Sequence, residues 1–528
     1  MHITLICADD NMWALGMRGI SSTLRAVGHQ TRMIFAGSVK STFSDREIDK
    51  IRSLAQESDI IGISSMSRGS KRAKAILEGL KPLNKVTVWG GMHPTLYPED
   101  CAPHADLICR GEGEDFMIEL AERIAASRGF SDILNAGFQD DGRLVLNDLR
   151  PLIGELDNLQ FPDFSYESEY VLEGGGTIQP NSRMREAPSI LFSGSRGCLY
   201  NCYYCSNSQL KAIYKGKGRY ARKMSVARFV AAALEHKQLF PRAKYIYFTD
   251  EDFFARPIEE VREFAQTYPR RVGLPFECMA SPLQITEEKM ALMVKAGMWR
   301  IDVGVESGSD EVKRRIFNRP IDNEAVMSAA TVISKHPRVV AYYFFIIGNP
   351  YEQRQDLLQT IGLLGQIPSP YFLRAYSLVF IPGTRLFDRA CQDGIIAGIE
   401  DSGYEIDFLG GLDHKGFSWK KNNLYLNSLI ALMAGKSTRF RLGFLPKKII
   451  PILTAPRVIE FCDRHIAIGK MLVGLGKSGL RIRRAGLTMM SKVFKDNKIA
   501  YGLKFLRRKP REDGVSSSAK VECYERFP

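Results

Sequence analysis

The sequence predicts an α/β protein. A doubly wound, Rossmann-like parallel sheet is followed by a partial (β/α)6 barrel of the TIM type and then a mostly helical, basic C-terminal module. Three observations predict this. Short β-rich runs alternate with helical apolar spacing from residue 1 to about 135, and again from 188 to about 385. The stretch between them is broken by Pro151, Pro162, the triplet Gly174-Gly175-Gly176 and Pro180. Residues 415–511 hold 23 Lys+Arg and three acids, a net +20 within a chain of net +14, so the remainder carries −6. The expected division is a first domain at 1–135, a linker at 136–187, a barrel at 188–400 and a basic module at 401–528, with residues 514–528 disordered.

In the first domain, residues 2–7 read as a strand. Leu15, Ile20, Leu24 and Val27 then mark one side of a helix. A strand at 30–35, a helix at 47–56, a strand at 59–64 and a helix at 71–80 follow. A fourth strand at 86–89 ends in Gly90-Gly91. Such alternation gives parallel strands joined by crossover helices. In the barrel, strand-like runs fall at 189–194, 245–249, 275–280, 300–305, 339–348 and 372–381. Between the first two, Val226, Phe229, Val230, Ala233, Leu234 and Lys237 share one helical face. Barrels of this type carry their chemistry at the C-terminal ends of the strands. No repeat of 20–50 residues is visible.

The composition, 45% hydrophobic and 25% charged, is that of an ordinary globular chain with ample core. Ten cysteines are spread unevenly, which excludes a disulfide framework and fits a reducing cytosol. The opening MHITLICADD lacks a basic segment and reaches acid by residue 9, so it reads as a strand rather than a signal peptide. No run approaches the roughly 18 apolar residues of a spanning helix. The expected location is cytoplasmic, with peripheral contact on the inner membrane face left open.

Residues 193–207 read SGSRGCLYNCYYCSN, which sets Cys198, Cys202 and Cys205 in a C-x3-C-x2-C spacing just past the first barrel strand. Three thiolates so close can hold three corners of a [4Fe–4S] cube, leaving the fourth iron open to a substrate. A three-cysteine zinc site is the alternative, but zinc knuckles usually come as two pairs and no second pair is present. At this motif the chain resembles the radical S-adenosylmethionine (SAM) superfamily, with Tyr204 as its usual aromatic before the third cysteine. The resemblance implies that the open iron chelates the amino and carboxylate groups of SAM. One electron then cleaves SAM to a 5′-deoxyadenosyl radical, which abstracts hydrogen from the substrate.

Three strand ends of the first domain are rich in small residues: Ser64-Ser65-Met66, Gly90-Gly91 and Arg110-Gly111-Glu112-Gly113-Glu114. Small residues let a backbone approach a flat or phosphorylated ligand, although a Gly-Gly after a strand can also be only a tight turn. Together they resemble the cobalamin-binding fold. Ser64 and Met66 match its S-x-L element in form, and Gly90 and Gly91 match its G-G. Its D-x-H-x-x-G slot reads Asn11-x-Trp13-x-x-Gly16 here. The resemblance therefore implies cobalamin without a protein imidazole, either five-coordinate or with Trp13 over its lower face. The other reading of Trp13 is a plain core or loop aromatic. VWGGMHPTLYPED and RGEGED resemble the cobalamin-binding branch of radical SAM enzymes, and the resemblance spans residues 1 to about 390.

The same resemblance assigns the SAM contacts. Asp250 or Glu251, past the second barrel strand, suits the methionine amine; an acid cluster at a helix N-terminus is the other reading. Ser281 could reach the ribose, and Glu306 the ribose or the amine. Gly348 ends the fifth strand as an adenine-side ledge.

Apolar runs studded with Lys and Arg in 415–511 suit an anionic membrane surface. A small cap with a solvated basic face is the alternative. Nucleic acid is disfavoured because aromatics for stacking are few. The expected activity is cobalamin-dependent radical SAM methylation of an unactivated carbon in an apolar, lipid-like or isoprenoid intermediate, with a flavodoxin or ferredoxin as electron donor. Radical oxidation, cyclisation or rearrangement without methyl transfer is the alternative within enzymes. A non-catalytic cobalamin or redox sensor is the alternative of another class.

Overall fold

The computed structural model describes residues 1–37, 43–173, 177–403 and 423–465. In the first sheet, β1 (His2–Cys7), β2 (Gln30–Phe35), β3 (Ile60–Ser64), β4 (Val86–Gly90) and β5 (Leu107–Cys109) pair in parallel in the order β5-β4-β3-β1-β2. The chain order reverses between β1 and β3, which opens a crevice at their carboxyl ends where ligands of doubly wound sheets bind. A local signal starts one of the crossover helices. Ser44 and Glu47 form a reciprocal cap at the helix Asp45–Ala55, the Glu47 carboxylate accepting the Ser44 amide at 2.7 Å.

The stretch expected as an irregular linker is irregular only in its middle, residues 147–168, and forms strands on either side. It supplies β6 (Ala136–Asp140) and β7 (Arg143–Leu146) to one edge of the first sheet, and β8 (Glu169–Glu173) and β9 (Thr177–Pro180) to the other. The reason is electrostatic as well as apolar. Arg18 and Glu169 form a fully buried two-pronged ion pair at 2.7 and 2.9 Å that draws β8 against β2. Pro151 and Pro162 fall between strands, whereas Pro180 is the last residue of β9 at the sheet edge.

The second sheet begins with β10 (Ser189–Phe192). A small hairpin, β11 (Ser195–Arg196) with β12 (Arg222–Lys223), stands beside it. The sheet continues through β13 (Tyr245–Phe248), β14 (Phe276–Ala280), β15 (Met298–Glu306), β16 (Val340–Ile347) and β17 (Tyr371–Ser377). These are the six parallel strands read from the sequence, in order. Alternate residues face opposite ways. Phe248 packs against the helix side chains Phe264 and Tyr268, while Tyr247 reaches towards Asp302 on the inner side. The inner face holds Arg300 between Glu277 and Asp302, under the Tyr342 ring. The ring pairs Tyr342–Phe372 and Phe344–Tyr376 are also stacked there.

The described part of the expected C-terminal module is continuous with the barrel. The helix Leu424–Met433 is buried from Tyr425 to Met433. β18 (Gly435–Ser437), β19 (Arg441–Leu442) and β20 (Leu445–Pro446) then extend the barrel sheet antiparallel to β17. The apolar run of that helix needs burial on all sides, and the open edge of a partial barrel provides it. Among the described residues no helix is long and apolar enough to cross a membrane. Residues 404–422 and 466–528, which carry much of the basic charge and the tail expected to be disordered, lie outside the described residues.

Candidate active site

After β10 the chain turns sharply. The Gly194 amide donates to Asp250 Oδ2 at 3.2 Å, and Gly197 takes φ +79° beside the Tyr220 carbonyl, where a Cβ would come within 2.4 Å. Cys198, Cys202 and Cys205 follow, with Cys205 at the start of the helix Ser206–Ile213. The loop is pinned from the far side of the barrel mouth. The Tyr203 amide donates to the Phe317 carbonyl at 2.9 Å, and Asn318 Nδ2 donates to the Asn201 carbonyl at 2.8 Å. Burial pushes the Cys198 thiol up to about 11 and Cys205 up to about 12, so each holds its proton until a metal displaces it.

Glu306 ends β15 with φ +72°, a strained value for a non-glycine residue, at a register break against β16. Burial raises its carboxyl; Arg319 and the Tyr204 hydroxyl oppose that rise. Arg319 links the groups: Nη2 donates to the Gly304 carbonyl at 2.8 Å and Nη1 to Cys202 Sγ at 3.6 Å. Its guanidinium lies 5.7 Å from the Tyr200 ring centre. Both carboxylate oxygens of Asp252, the Tyr200 hydroxyl, Ser281 Oγ and Arg319 Nε are buried without a hydrogen bond of ordinary geometry; the Ser281 and Phe254 backbone lies near Asp252 and the Ser281 side chain near Tyr200. Buried polar atoms left open in one place are what a polar ligand completes. Burial pushes Asp252 up to about 7.

The sequence reading of this strand end is corrected in one respect. Asp250 is 2% exposed, holds the Gly194 turn and faces Arg256, so it is closed to a ligand. It continues the parity of Ile246 and Phe248, which points to the helix layer; that parity was available in the sequence. Glu251 accepts from Asn207 Nδ2 at 3.0 Å beside Cys205, facing the cysteine loop. The acid with open oxygens is Asp252. Tyr200 and Arg319 were also missed, and no local sequence signal marks Arg319 because its role comes from the loop after β15 folding back over the mouth. Gly348 takes φ +70° and donates its amide to Asn427 Oδ1 at 2.6 Å, so the helix Leu424–Met433 backs this ledge.

At the crevice of the first sheet, Asp9 Oδ2 accepts the Met66 amide at 2.8 Å and Trp89 Nε1 donates to Ser65 Oγ at 2.9 Å. These bonds fix the loop after Ser64 while leaving the Met66 side chain 54% exposed. Gly91, at φ +103°, lies so close to this loop that a Cβ would come within 2.6 Å of the Ser65 carbonyl, and Gly90 stands beside it at the end of β4. Backbone packed this tightly around an exposed thioether gives a surface that fits a flat, largely apolar ring. His93 lies behind the loop with both ring nitrogens engaged, by Ser67 at 3.1 Å and Asp100 at 2.9 Å. Trp13 does not face this crevice as a ligand cover. It packs between Phe164 and Phe240, at ring distances of 5.9 and 5.1 Å, where the first domain meets the barrel.

The third small-residue strand end is likewise not a ligand cradle. Glu112 accepts from Arg196 and Arg222, each at 2.9 Å, and from the Ile153 amide at 2.8 Å. Glu114 takes the other prong of Arg196. Gly111 leaves room for Tyr214, whose hydroxyl accepts the Glu112 amide at 2.9 Å. The loop of the first domain therefore grips the segment that carries the cysteines.

With both sites in view, the comparisons are specific. Residues 1–121 match the B12 binding domain family and residues 192–364 match the radical SAM superfamily. The chain is a cobalamin-binding radical SAM enzyme. It is 24% identical to an uncharacterised methyltransferase of Pyrococcus horikoshii, over 72% of this chain and 79% of that protein. It is 25% identical to the anaerobic magnesium-protoporphyrin IX monomethyl ester cyclase of Rubrivivax gelatinosus, over 65% of this chain and 60% of that one. Among solved structures, the radical SAM methyltransferase TsrM of Kitasatospora setae superposes with a TM-score of 0.61 at 13% identity, covering 74% of this chain and 76% of that one. That protein has been solved with its tryptophan substrate and a SAM analogue, and with cobalamin and a [4Fe–4S] cluster. At this identity the likeness carries the fold. The cofactors of this enzyme are a [4Fe–4S] cluster, SAM and cobalamin, and the donor sets at both sites fit them.

Proposed function

We propose that this enzyme transfers a methyl group from SAM to an unactivated carbon of a largely apolar small molecule. The observation that carries this reading is the grip of Glu112 and Glu114 on Arg196, which sets the cobalamin crevice and the cysteine loop in one frame. When bound, the cluster supplies the electron that cleaves SAM, and cobalamin carries the methyl group.

The protein's own groups divide the remaining work. Cys198, Cys202 and Cys205 hold the cluster on a loop that Phe317 and Asn318 keep in place. Arg319 places positive charge against Cys202 and Glu306, which steadies a thiolate and a carboxylate together. Asp252 and Glu306 suit the cationic methionine amine, and Glu251 stands at the rim of the cysteine loop. Ser281 suits the ribose, with Gly348 as the adenine ledge. Tyr204, with its ring 4.9 Å from Phe317, screens the cluster from water. Ser64, Met66, Gly90 and Gly91 receive the corrin face.

The stacked rings inside the barrel suit an apolar substrate body, and the charge set of Arg300, Glu277 and Asp302 closes its floor. A lipid-like or isoprenoid substrate agrees with that lining. A flavodoxin or ferredoxin is the fitting electron donor.

The similarity to a protoporphyrin ester cyclase favours a second reading, radical oxidation or ring closure without methyl transfer. SAM carrying a labelled methyl group separates the two. Anaerobic enzyme reconstituted with iron, sulfide and cobalamin should place the label in a product from a reduced cell extract, with S-adenosylhomocysteine and 5′-deoxyadenosine both formed. Formation of 5′-deoxyadenosine with no label transferred would decide for the second reading.

A further inference from the structure

We propose that the barrel edge around the β18–β19 turn docks on an anionic lipid surface. Of the twelve large apolar side chains exposed among the described residues, five lie between Phe440 and Phe461; the others are scattered along the chain. The concentration marks this edge as a contact surface. Phe440 is 71% exposed at the tip of the turn, and Ile452 is 63% exposed on the helix Ile450–Leu453. The Phe440 carbonyl accepts the Lys447 amide at 2.9 Å, which brings the tip next to Lys448 and Ile449. Arg439 and Arg441, on either side of Phe440 in the chain, and Lys448, before Ile449, are exposed, and the Arg439 guanidinium lies 5.7 Å from the Phe440 ring centre.

The two acids nearby are already engaged. Asp463 pairs with Arg354 at 3.0 Å and Glu460 with Arg464 at 4.0 Å, so the outward charge is positive. Beneath the patch lies the helix Leu424–Met433, buried from Tyr425 onward, and β18 is hydrogen-bonded to β17, so the patch sits on a firm base.

Charge complementarity selects the occupant. Lipid headgroups offer anionic charge over an apolar layer, which meets both halves of this surface. A nucleic acid would use the cations and stack on exposed phenylalanines such as Phe440, but it would leave Ile449 and Ile452 against water, whereas an acyl layer takes up both kinds of side chain. The sequence beyond residue 465 keeps the same character, with 13 Lys+Arg and one acid from 466 to 511. The inference stands on this surface alone and does not depend on methyl transfer.

The test uses the full-length protein and vesicles of phosphatidylcholine with or without phosphatidylglycerol. Wild-type protein should sediment with the anionic vesicles at low salt and be released at high salt. Phe440→Glu with Ile452→Glu should weaken binding roughly tenfold, while iron content and SAM cleavage stay unchanged. Arg439→Gln with Lys448→Gln gives an independent route to the same loss, should the first variant fail to fold. Wild-type binding by both variants, equal binding to neutral vesicles, or capture of RNA oligonucleotides in place of vesicles would each overturn the proposal.

Discussion

Arg196 and Glu112 pair at 2.9 Å across the boundary between the first domain and the barrel, and Arg196 stands two residues before Cys198. A position in the cobalamin domain therefore fixes the backbone that presents the cluster. Glu112→Gln keeps the shape and removes the charge from a partly buried cluster of two guanidinium groups. A loss of about 1–3 kcal/mol in stability is expected, together with lower iron retention after reconstitution. Thermal denaturation and iron analysis check this; an unchanged midpoint and full iron would contradict it.

Asp252 is raised to about 7 from an ordinary value of 3.8, first by burial. Its charged form is disfavoured in the folded protein, so stability present at low pH is lost as pH rises from about 4 through 7. Asp252→Asn should make the SAM-free protein more stable at pH 8 by about 1–3 kcal/mol, with little difference at pH 4. The same variant should bind SAM at least about tenfold more weakly. Equal SAM affinity in calorimetry would remove Asp252 from the site.

His236 is lowered to about 4 by burial among Phe164, Phe192 and Phe240, with Nδ1 against the Ala232 carbonyl at 2.7 Å. The unfolded chain binds a proton near 6.5 and the folded one does not. Stability should fall as pH drops from 6.5 towards 4, by up to about 3 kcal/mol. His236→Leu should flatten that part of a urea midpoint-against-pH curve. An unaltered slope would place the titrating group elsewhere.

Trp13 acts differently from what its motif position implies, whereas Gly91 keeps its place at the crevice. Trp13→Ala should cost about 2–4 kcal/mol through lost packing on Phe164 and Phe240, and leave the spectrum of bound cobalamin unchanged. Gly91→Val should lower both stability and cobalamin retention, because its side chain meets the Ser65 backbone. Since His93 has both nitrogens engaged, paramagnetic resonance of the cob(II)alamin form should show no imidazole coupling. A coupling that His93→Ala abolishes would contradict this geometry.

The two parallel sheets were legible because each strand is short, β-rich and followed by helical spacing, and the cysteine motif sits where a barrel places its chemistry. Strands β6 to β9 were not legible. Each pair is a local hairpin, β6 with β7 and β8 with β9, but its attachment to the first sheet depends on partners far along the chain, as Arg18 with Glu169 shows. The helix Leu424–Met433 was visible as an apolar run, but its burial against the barrel edge was not. Within the site, Cys198, Cys202, Cys205, Ser281 and Glu306 stand together at the mouth. Asp252 and Arg319 emerge only in three dimensions, because loop folding, not spacing, aims them inward.

The central claim is that the three cysteines carry SAM cleavage. The most direct measurement is 5′-deoxyadenosine release from anaerobically reconstituted protein given SAM and a low-potential reductant. Wild-type protein should bind about four irons and four sulfides and release the nucleoside. Cys202→Ala should release none. Release by Cys202→Ala at the wild-type rate would contradict the account.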